Sequence, residues 1–462
     1  MSEEEKEREE REMENTQNFT EGKILAPLLK FALPVLLALF LQAMYGAVDL
    51  LIVGKFGTAI DISAVSTGSQ IMQTVTSLVT SLAMGITILA GQKIGEKDAE
   101  GAGDAIGSGI CLFAVLGILM TAVMVGLSGP LAALMQAPEE AFDQTVVYIR
   151  ICSGGYLFIV AYNVLGSIFR GIGDSRMPLI TVAIACVLNI AGDLALIAGF
   201  HMGVAGAALA TVMAQAVSVA LSVLIIKGRQ LPFTLSRQRL RFDGSLIKQI
   251  VRLGAPISLQ DLLVSVSFLV ILAIVNSLGL IASAGVGIAE KLCVFIMLVP
   301  SAYMQSMSAF VAQNVGAKTY ARGRKALAYG IFTSFAVGVV MAWLSFFHGD
   351  WMASLFANGS DLDVIYAAAD YLKAYAIDCL LTSFLFCFLG YFNGWGETVF
   401  VMAQGIIGAF CVRIPVSYFM SQMSWATLFH IGLATPASTV VQITLCLIYF
   451  RRQNRKLSKN YL

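Results

Sequence analysis

The sequence predicts an all-α integral membrane protein whose twelve transmembrane helices form two six-helix lobes, related by a pseudo-two-fold axis along the membrane normal. Three observations carry that reading. First, 58% of the residues are hydrophobic and only 13% charged, and the mean hydropathy is +0.79, far from the soluble average. Second, apolar segments of about twenty residues, enough to cross ~30 Å of hydrocarbon at ~1.5 Å per residue, recur along the whole chain. Third, the chain repeats itself at a nearly constant offset.

In chain order the spans fall near residues 31–53, 64–89, 105–127, 142–171, 178–200 and 203–227. A second set follows near 254–276, 284–310, 326–347, 364–394, 398–421 and 428–450. Basic residues orient them, because loops that stay in the cytoplasm during insertion collect Lys and Arg. With both termini inside, the inner connections hold Lys93 and Lys97, Arg170 and Arg176, the run KGRQLPFTLSRQRLRFDG, then Lys318, Arg322, Arg324 and Lys325, and the tail RRQNRKLSKN. The outer connections offer only Lys55 and carry the acids Asp61, Glu139, Glu140, Asp350 and Asp361. A multi-pass protein of the cell's inner (plasma) membrane, with both termini cytoplasmic, is the expectation.

The opening MSEEEKEREEREMENTQN is dense mixed charge with almost nothing apolar to offset its ordering entropy. Residues 1–23 are therefore expected to be a disordered cytoplasmic tail, and with no apolar h-region they are not a cleavable signal. Residues 24–227 form the N-terminal lobe, 228–252 a basic cytoplasmic linker, 253–450 the C-terminal lobe and 451–462 a basic cytoplasmic tail. All eight cysteines lie in apolar spans without zinc or disulfide spacing and read as packing residues. His201, His348 and His430 are scattered at the outer helix ends and read as loop residues, not metal ligands.

The repeat is the most informative feature. AGQKIG at 90–95 returns as VAQNVG at 311–316, and DAIGSGI at 104–110 as KALAYGI at 325–331, both 221 residues later. Pro34 returns as Pro256 after 222 residues, and FRGIGD at 169–174 as FNGWGE at 392–397 after 223. An even number of crossings separates the copies, so the halves run in the same direction, as in secondary transporters that alternate access around a central site.

A charge at mid-span costs ~2.5–3.5 kcal/mol on insertion scales and usually has a function. Asp49 and Asp193 each lie fifteen residues after a proline, Pro34 and Pro178, on outward-running helices. That spacing places both carboxylates ~22 Å above the inner prolines, at matching depth. Asn189 shares a helix face with Asp193 by i,i+4 spacing, and Thr211, eight residues into the next span, lies near the same level. Such a set of oxygens suits either a hard cation such as sodium, or a proton shared between two acids that desolvation and mutual repulsion keep from being charged together. Pro34 removes a backbone hydrogen bond and makes bending of the first span cheap, which would let cation binding move that helix. Asn163 in the fourth span is a further candidate for this network.

With these residues in place, the region 24–450 resembles the multidrug and toxic compound extrusion (MATE) transporters, and its first lobe the DinF-type branch. The shared pattern is Pro34, Gln42, Tyr45 and Asp49 in the first span, Asn189 and Asp193 in the fifth, and Thr211 in the sixth. The resemblance implies a V of two lobes that exports amphipathic, often cationic compounds, driven by inward sodium or proton flow. It implies that Asp49, Asn189, Asp193 and Thr211 hold the coupling cation, Na⁺ or H⁺, and that Gln42 and Tyr45, joined by Asn163, line a substrate cavity.

The second lobe breaks the symmetry, since Val412 and Val416 stand where Asn189 and Asp193 stand in the first. It keeps six charges of its own within its spans: Asp261, Glu290, Lys291, Lys373, Asp378 and Arg413. NorM-type relatives use acids in the seventh and tenth helices, so Asp261 and Asp378 are candidates for a second site, and Glu290 and Lys291 in the eighth span are further candidates for it. Mutual neutralisation of the three acids and three bases is the reading preferred here.

Nineteen methionines and twenty-eight phenylalanines provide adaptable walls for aromatic cations, and are equally ordinary filling for membrane helices. An enzyme is not expected: there is no HExxH, no GxSxG elbow and no phosphate-cradling loop, and the GIGD and GWGE turns read as helix ends. No cofactor, ATP or nucleic acid is implied; the expected partners are small amphipathic or cationic substrates and membrane lipids, and the protein is expected to be a monomer. The alternative function is a flippase of lipids or lipid-linked precursors in the same superfamily, which would be expected to carry fourteen helices and an arginine-lined cavity.

Overall fold

A computed structural model describes residues 19–229, 231–234, 236–356 and 361–460. Among these, eleven helices are long and apolar enough to cross a membrane, and twelve when the bent pair Glu139–Gly154 and Tyr156–Gly171 is counted as one span. The expected tail over residues 1–23 lies mostly outside the described residues.

The N-terminal half runs as α1 (Leu25–Phe56), α2 (Ala59–Gly95), α3 (Ala99–Gly126), a short α4 (Ser128–Leu134), α5 (Phe142–Gly154), α6 (Tyr156–Gly171), α7 (Arg176–Asp193) and α8 (Gly203–Lys227). The C-terminal half runs as α9 (Gly244–Asn276), α10 (Leu280–Ile296), α11 (Leu298–Gly316), α12 (Tyr320–Phe347), a short α13 (Gly349–Ser354) and α14 (Leu362–Trp395). It continues as α15 (Thr398–Ile406), α16 (Ile414–Ser421), a short α17 (Leu428–Gly432) and α18 (Ala434–Asn460). Short side chains close several helix starts. Thr58 and Asp61 make a reciprocal cap on α2, Asp98 accepts from Gly101 N on α3, and Asp174 accepts from Arg176 N and Met177 N on α7.

Two departures from straight spans matter. The fourth span bends by 55° between α5 and α6. The bend is at Gly154-Gly155, where a Cβ on Gly155 would lie 2.1 Å from Val212 Cγ1, so only glycine lets this corner meet α8. The fifth span loosens into a π-helical turn, Leu194–Gly199, immediately after Asp193, and the eleventh carries another at Ile407–Arg413. Single π-turns inside α-helices recur at functional sites.

The chain divides into two compact units. One runs to Ser258 and takes in Ala312–Thr319; the other holds Leu259–Val311 and everything from Tyr320 on. The first unit has a continuous apolar core in which Ile86, Ile106, Phe113, Ile149, Tyr156 and Phe233 are buried. In the second, Ile271, Val286, Leu292, Tyr371 and Leu372 play that part. Between apolar helices in lipid there is little hydrophobic drive, so close approach of small residues supplies the attraction. Within the first unit, a Cβ on Gly95 would lie 1.9 Å from Gln313 O, and one on Gly316 would lie 1.9 Å from Gln92 O. These four residues are repeat equivalents, and their contact is itself symmetric.

The repeat also extends to backbone conformation. Gly173 and Gly396, in the FRGIGD and FNGWGE turns, have φ of +87° and +80°, and Lys97 and Lys318 have φ of 60° and 58°. Each pair closes the same kind of helix end in its own half, where a left-handed residue frees the chain to turn.

Candidate functional site

The residues singled out in the first half converge between α1, α7 and α8. Asp49 is 4% exposed, Asn189 and Asp193 are fully buried, and Thr211 is 8% exposed. The helices can approach here because they carry small residues at the crossing: a Cβ on Gly192 would sit 3.0 Å from that of Ala210. Gly192 precedes Asp193 and Ala210 precedes Thr211, so the tight crossing delivers both polar side chains to one place.

The Asp49 and Asp193 carboxyl groups are immediate neighbours, and neither forms an ion pair among the described residues. The cluster is rich in buried polar atoms without a hydrogen-bond partner. They are Asp49 Oδ1, both Asp193 oxygens, both ends of the Asn189 amide and Thr211 Oγ1. A buried polar group left unpaired costs about 1–3 kcal/mol, and buried charge more, so a protein does not assemble such a set idly. Two carboxylates, an amide oxygen and a hydroxyl are hard ligands that would satisfy a sodium ion, and a proton between the acids would satisfy part of the same set.

The flanking candidates separate. Tyr45 lies against Thr211 and Gln215, and Gln42 against Tyr162, so both border the cluster along α1 and its neighbours. Asn163 is committed elsewhere: its Oδ1 accepts from Thr80 Oγ1 at 3.0 Å and its Nδ2 donates to Ile159 O at 2.8 Å, tying α6 to α2. Pro34 stands inside an unbroken α1. Sequence reasoning missed Gln215, whose buried Oε1 lacks a partner. It is one turn beyond Thr211, and the same i,i+4 rule that joined Asn189 to Asp193 would have found it. Tyr148 of α5, buried and in the field of Asp49 and Tyr45, carried no such signal.

In the second unit Asp378 and Arg413 rest on hydrogen bonds and an aromatic face. Asp378, 2% exposed, accepts from Thr439 Oγ1 at 2.6 Å. Arg413, 6% exposed, donates to Ser267 Oγ at 3.1 Å and lies 4.4 Å over the Phe268 ring. Each feels the other's charge, but Thr439 on α18 and Ser267 with Phe268 on α9 anchor them to different helices. Glu290 Oε1 is buried without a hydrogen bond, Lys373 is half-buried and Lys291 is exposed. None of these five makes an ion pair among the described residues. Asp261 is half-buried, its carbonyl accepting from Ser265 Oγ at 2.8 Å. The units therefore differ in kind. The first has a carboxyl pair without a basic partner, whereas the second carries Arg413 within the field of Asp378.

No group of three or more His, Cys, Asp or Glu able to hold a metal exists among the described residues. His430 contributes to the cap at Thr427, and His348 stacks edge-on with Trp343 at 4.7 Å.

An all-helical membrane protein with an internal duplication and a buried carboxyl cluster in one half defines a class of polytopic transporters. The chain belongs to the MatE family, which matches residues 34–195 and 256–419, one block in each half. Family members are transporters, not enzymes. Among the relatives, "Probable multidrug resistance protein YpnP" of Bacillus subtilis (strain 168) is 27% identical over 446 residues, covering 96% of this chain and 98% of that protein. "Multidrug export protein MepA" of Staphylococcus saprophyticus is 23% identical over 445 residues, covering 96% and 97%. Among solved structures, "Crystal structure of MATE in complex with MaL6" aligns with a TM-score of 0.89 at 20% identity over 96% of this chain and 98% of that one. "Outward-facing conformation of a multidrug resistance MATE family transporter of the MOP superfamily" aligns with a TM-score of 0.88 at 21% identity and the same coverage.

Proposed function

We propose that this chain is a cation-coupled antiporter that exports small amphipathic, often cationic compounds by alternating access. The coupling ion is sodium or a proton, taken up by Asp49 and Asp193 with Asn189 and Thr211. The observation that carries this reading is the cluster of buried carboxyl, amide and hydroxyl atoms without partners between α1, α7 and α8. The full-length relatives named for multidrug resistance and export supply the substrate class.

Two neighbouring carboxylates repel when both are charged, which keeps α1 and α7 from settling together. A cation or proton arriving between them cancels that repulsion and favours a tighter packing of α1 against α7 and α8. Pro34 gives α1 a place to bend, since no hydrogen bond is lost there beyond the one proline already lacks. Tyr45 and Gln42 lie on the same helix as Asp49, so a movement of α1 that follows cation binding carries the substrate-facing side chains with it. Exchange of ion for substrate then needs no shared spot. A potential of 100 mV supplies ~2.3 kcal/mol per net charge moved inward, enough to hold a roughly fifty-fold gradient of a neutral drug when one cation enters per cycle, and a monovalent cationic drug needs a second entering cation for the same gain.

The protein works in the plasma membrane as a monomer, with both termini in the cytoplasm, residues 24–227 and 253–450 as the two lobes, and no cofactor. Dye efflux from proteoliposomes under separately imposed sodium and proton gradients tests the proposal. Concentrative transport under one of them is expected; transport that ignores both would refute coupling.

A further inference from the structure

The connection between the two halves of the sequence is not a loose tether. Residues 227–252 hold seven basic side chains against one acid, Asp243. Phe233 is 7% exposed and belongs to the apolar core of the first unit, and Thr234 N donates to Ala99 O at 3.4 Å. Arg239 then bridges Asp104 at 3.0 Å and Glu100 at 3.3 Å, and Ser108 Oγ donates to Arg241 O at 3.2 Å. The backbone presses onto α3 so closely that a Cβ on Gly107 would lie 2.2 Å from Arg239 O. Asp243 ends the strap by accepting from Ser245 N and Leu246 N at the start of α9.

Held at both ends, this strap turns apolar groups outward. Leu240 is 43% exposed and Phe242 is 62% exposed, whereas Phe233 a few residues earlier is inside. The order Arg239, Leu240, Arg241, Phe242 alternates in character, and both arginines reach toward Asp104, Arg241 at a distance of 4.0 Å. The Arg241 side chain is still 62% exposed, and Lys248 on the second turn of α9 is exposed as well. Gly107 is eight residues into α3, ~12 Å from its start, where the apolar part of that span begins. With α3 as a membrane span, a strap at this height on it falls near the end of the apolar segment, where headgroups meet acyl chains.

We propose that residues 239–242, with Lys248, form a docking surface for anionic phospholipid of the adjacent leaflet. Arg241 and Lys248 meet the phosphate, and Leu240 and Phe242 enter the boundary of the acyl region. An exposed apolar pair on a salt-bridged strap gains nothing in water, and at the headgroup boundary its burial is favourable. A lipid satisfies both halves of the surface. Free phosphate satisfies only the cations, and an acidic peptide would have to compete with the leaflet at its own depth. Clustered basic residues beside membrane helices are attracted to an anionic lipid surface.

The test uses full-length protein reconstituted in phosphatidylcholine vesicles with and without phosphatidylglycerol, followed by extraction and counting of retained lipid. Wild type should retain phosphatidylglycerol in several-fold excess over its share of the vesicle. Leu240→Ser/Phe242→Ser and Arg241→Gln/Lys248→Gln should each lose that excess, while Arg239, which holds the strap on α3, stays in place. Glycerol phosphate added to the wild type should not displace the lipid; displacement would reassign the surface to soluble phosphate. Retention of the excess in both double variants would overturn the proposal. Should either variant fail to fold, Phe242→Trp decides: its added emission should be quenched by brominated phosphatidylglycerol more than by brominated phosphatidylcholine, and equal or absent quenching refutes anionic lipid at the strap.

Discussion

Replacing Asp193 by Asn removes one of two neighbouring carboxylates and keeps the side chain's shape. In the structure both Asp193 oxygens are buried without hydrogen bonds, and the nearest charge is Asp49. A cation ~4 Å from a carboxylate gains about 4 kcal/mol at an effective dielectric constant near 20. Asn returns part of that through its amide oxygen and is spared the cost of burying a charge. A net loss of ~2–3 kcal/mol is therefore expected, which is roughly a 30- to 150-fold weaker hold on the driving ion. At a fixed gradient this is enough to empty the site for most of the cycle, so concentrative efflux should fall to near background. Asp49→Asn should do the same. Asp49→Asn/Asp193→Asn should be no worse than either single variant, because the two acids act as one unit. The assay is gradient-driven efflux in proteoliposomes, set beside drug binding in detergent, which should survive within a few-fold on the proposal that ion and substrate occupy separate places. Protein yield and unfolding temperature should hold or rise, as the mutual repulsion of two buried carboxylates is relieved. If Asp49→Asn/Asp193→Asn vesicles still concentrate substrate under a cation gradient, the acids are structural and the coupling site lies elsewhere.

Asp378→Asn should leave more transport than Asp193→Asn, because Asp378 already has Thr439 as a partner and Arg413 as a fixed neighbouring charge; equal loss in the same efflux assay would bring the second unit's acids into coupling. Arg413→Met should destabilise by ~1–3 kcal/mol by removing the hydrogen bond to buried Ser267 and the positive charge near Asp378, and Arg413→Met/Asp378→Asn should recover part of it in thermal unfolding; failure to recover would show that Arg413 acts mainly through Ser267 and Phe268. Gly95→Val should cost ~1–3 kcal/mol or more by overpacking, since its Cβ has no space beside Gln313 O, and unchanged unfolding would mean that this contact opens readily. Cysteines at Glu139 or Asp350 should react with impermeant thiol reagents from outside, and one at Lys248 only after permeabilisation; labelling of Lys248→Cys in intact cells would reverse the proposed topology.

Much of this protein is readable without coordinates because its strongest signals are one-dimensional. Hydropathy sets the number of spans, since each must be long enough for the bilayer. The offset of 221 to 223 residues anticipates paired halves, and it holds down to the left-handed turns at Lys97 and Lys318 and at Gly173 and Gly396. Depth along a helix is also legible, because rise per residue is constant; that is why Asp49 and Asp193 could be placed at one level. What depth leaves undetermined is azimuth, the direction in which a residue at a given level points, and azimuth is decided by how neighbouring helices pack. Gly192 against Ala210 draws α7 onto α8 and so brings Asp193 and Thr211 together with Asp49, while Asn163 turns aside to Thr80 and Gln215 joins the cluster unannounced. The same freedom gives Arg413 and Asp378 hydrogen-bond partners on different helices, where the sequence suggested only a general neutralisation among six charges. It also fastens the linker to α3, where Arg239 meets acids more than a hundred residues away in sequence and leaves Leu240 and Phe242 facing outward. Local period and length are properties of a single helix in its solvent. The rotation of one helix against another follows from the small residues at their crossing, whose effect exists only once both helices are in place.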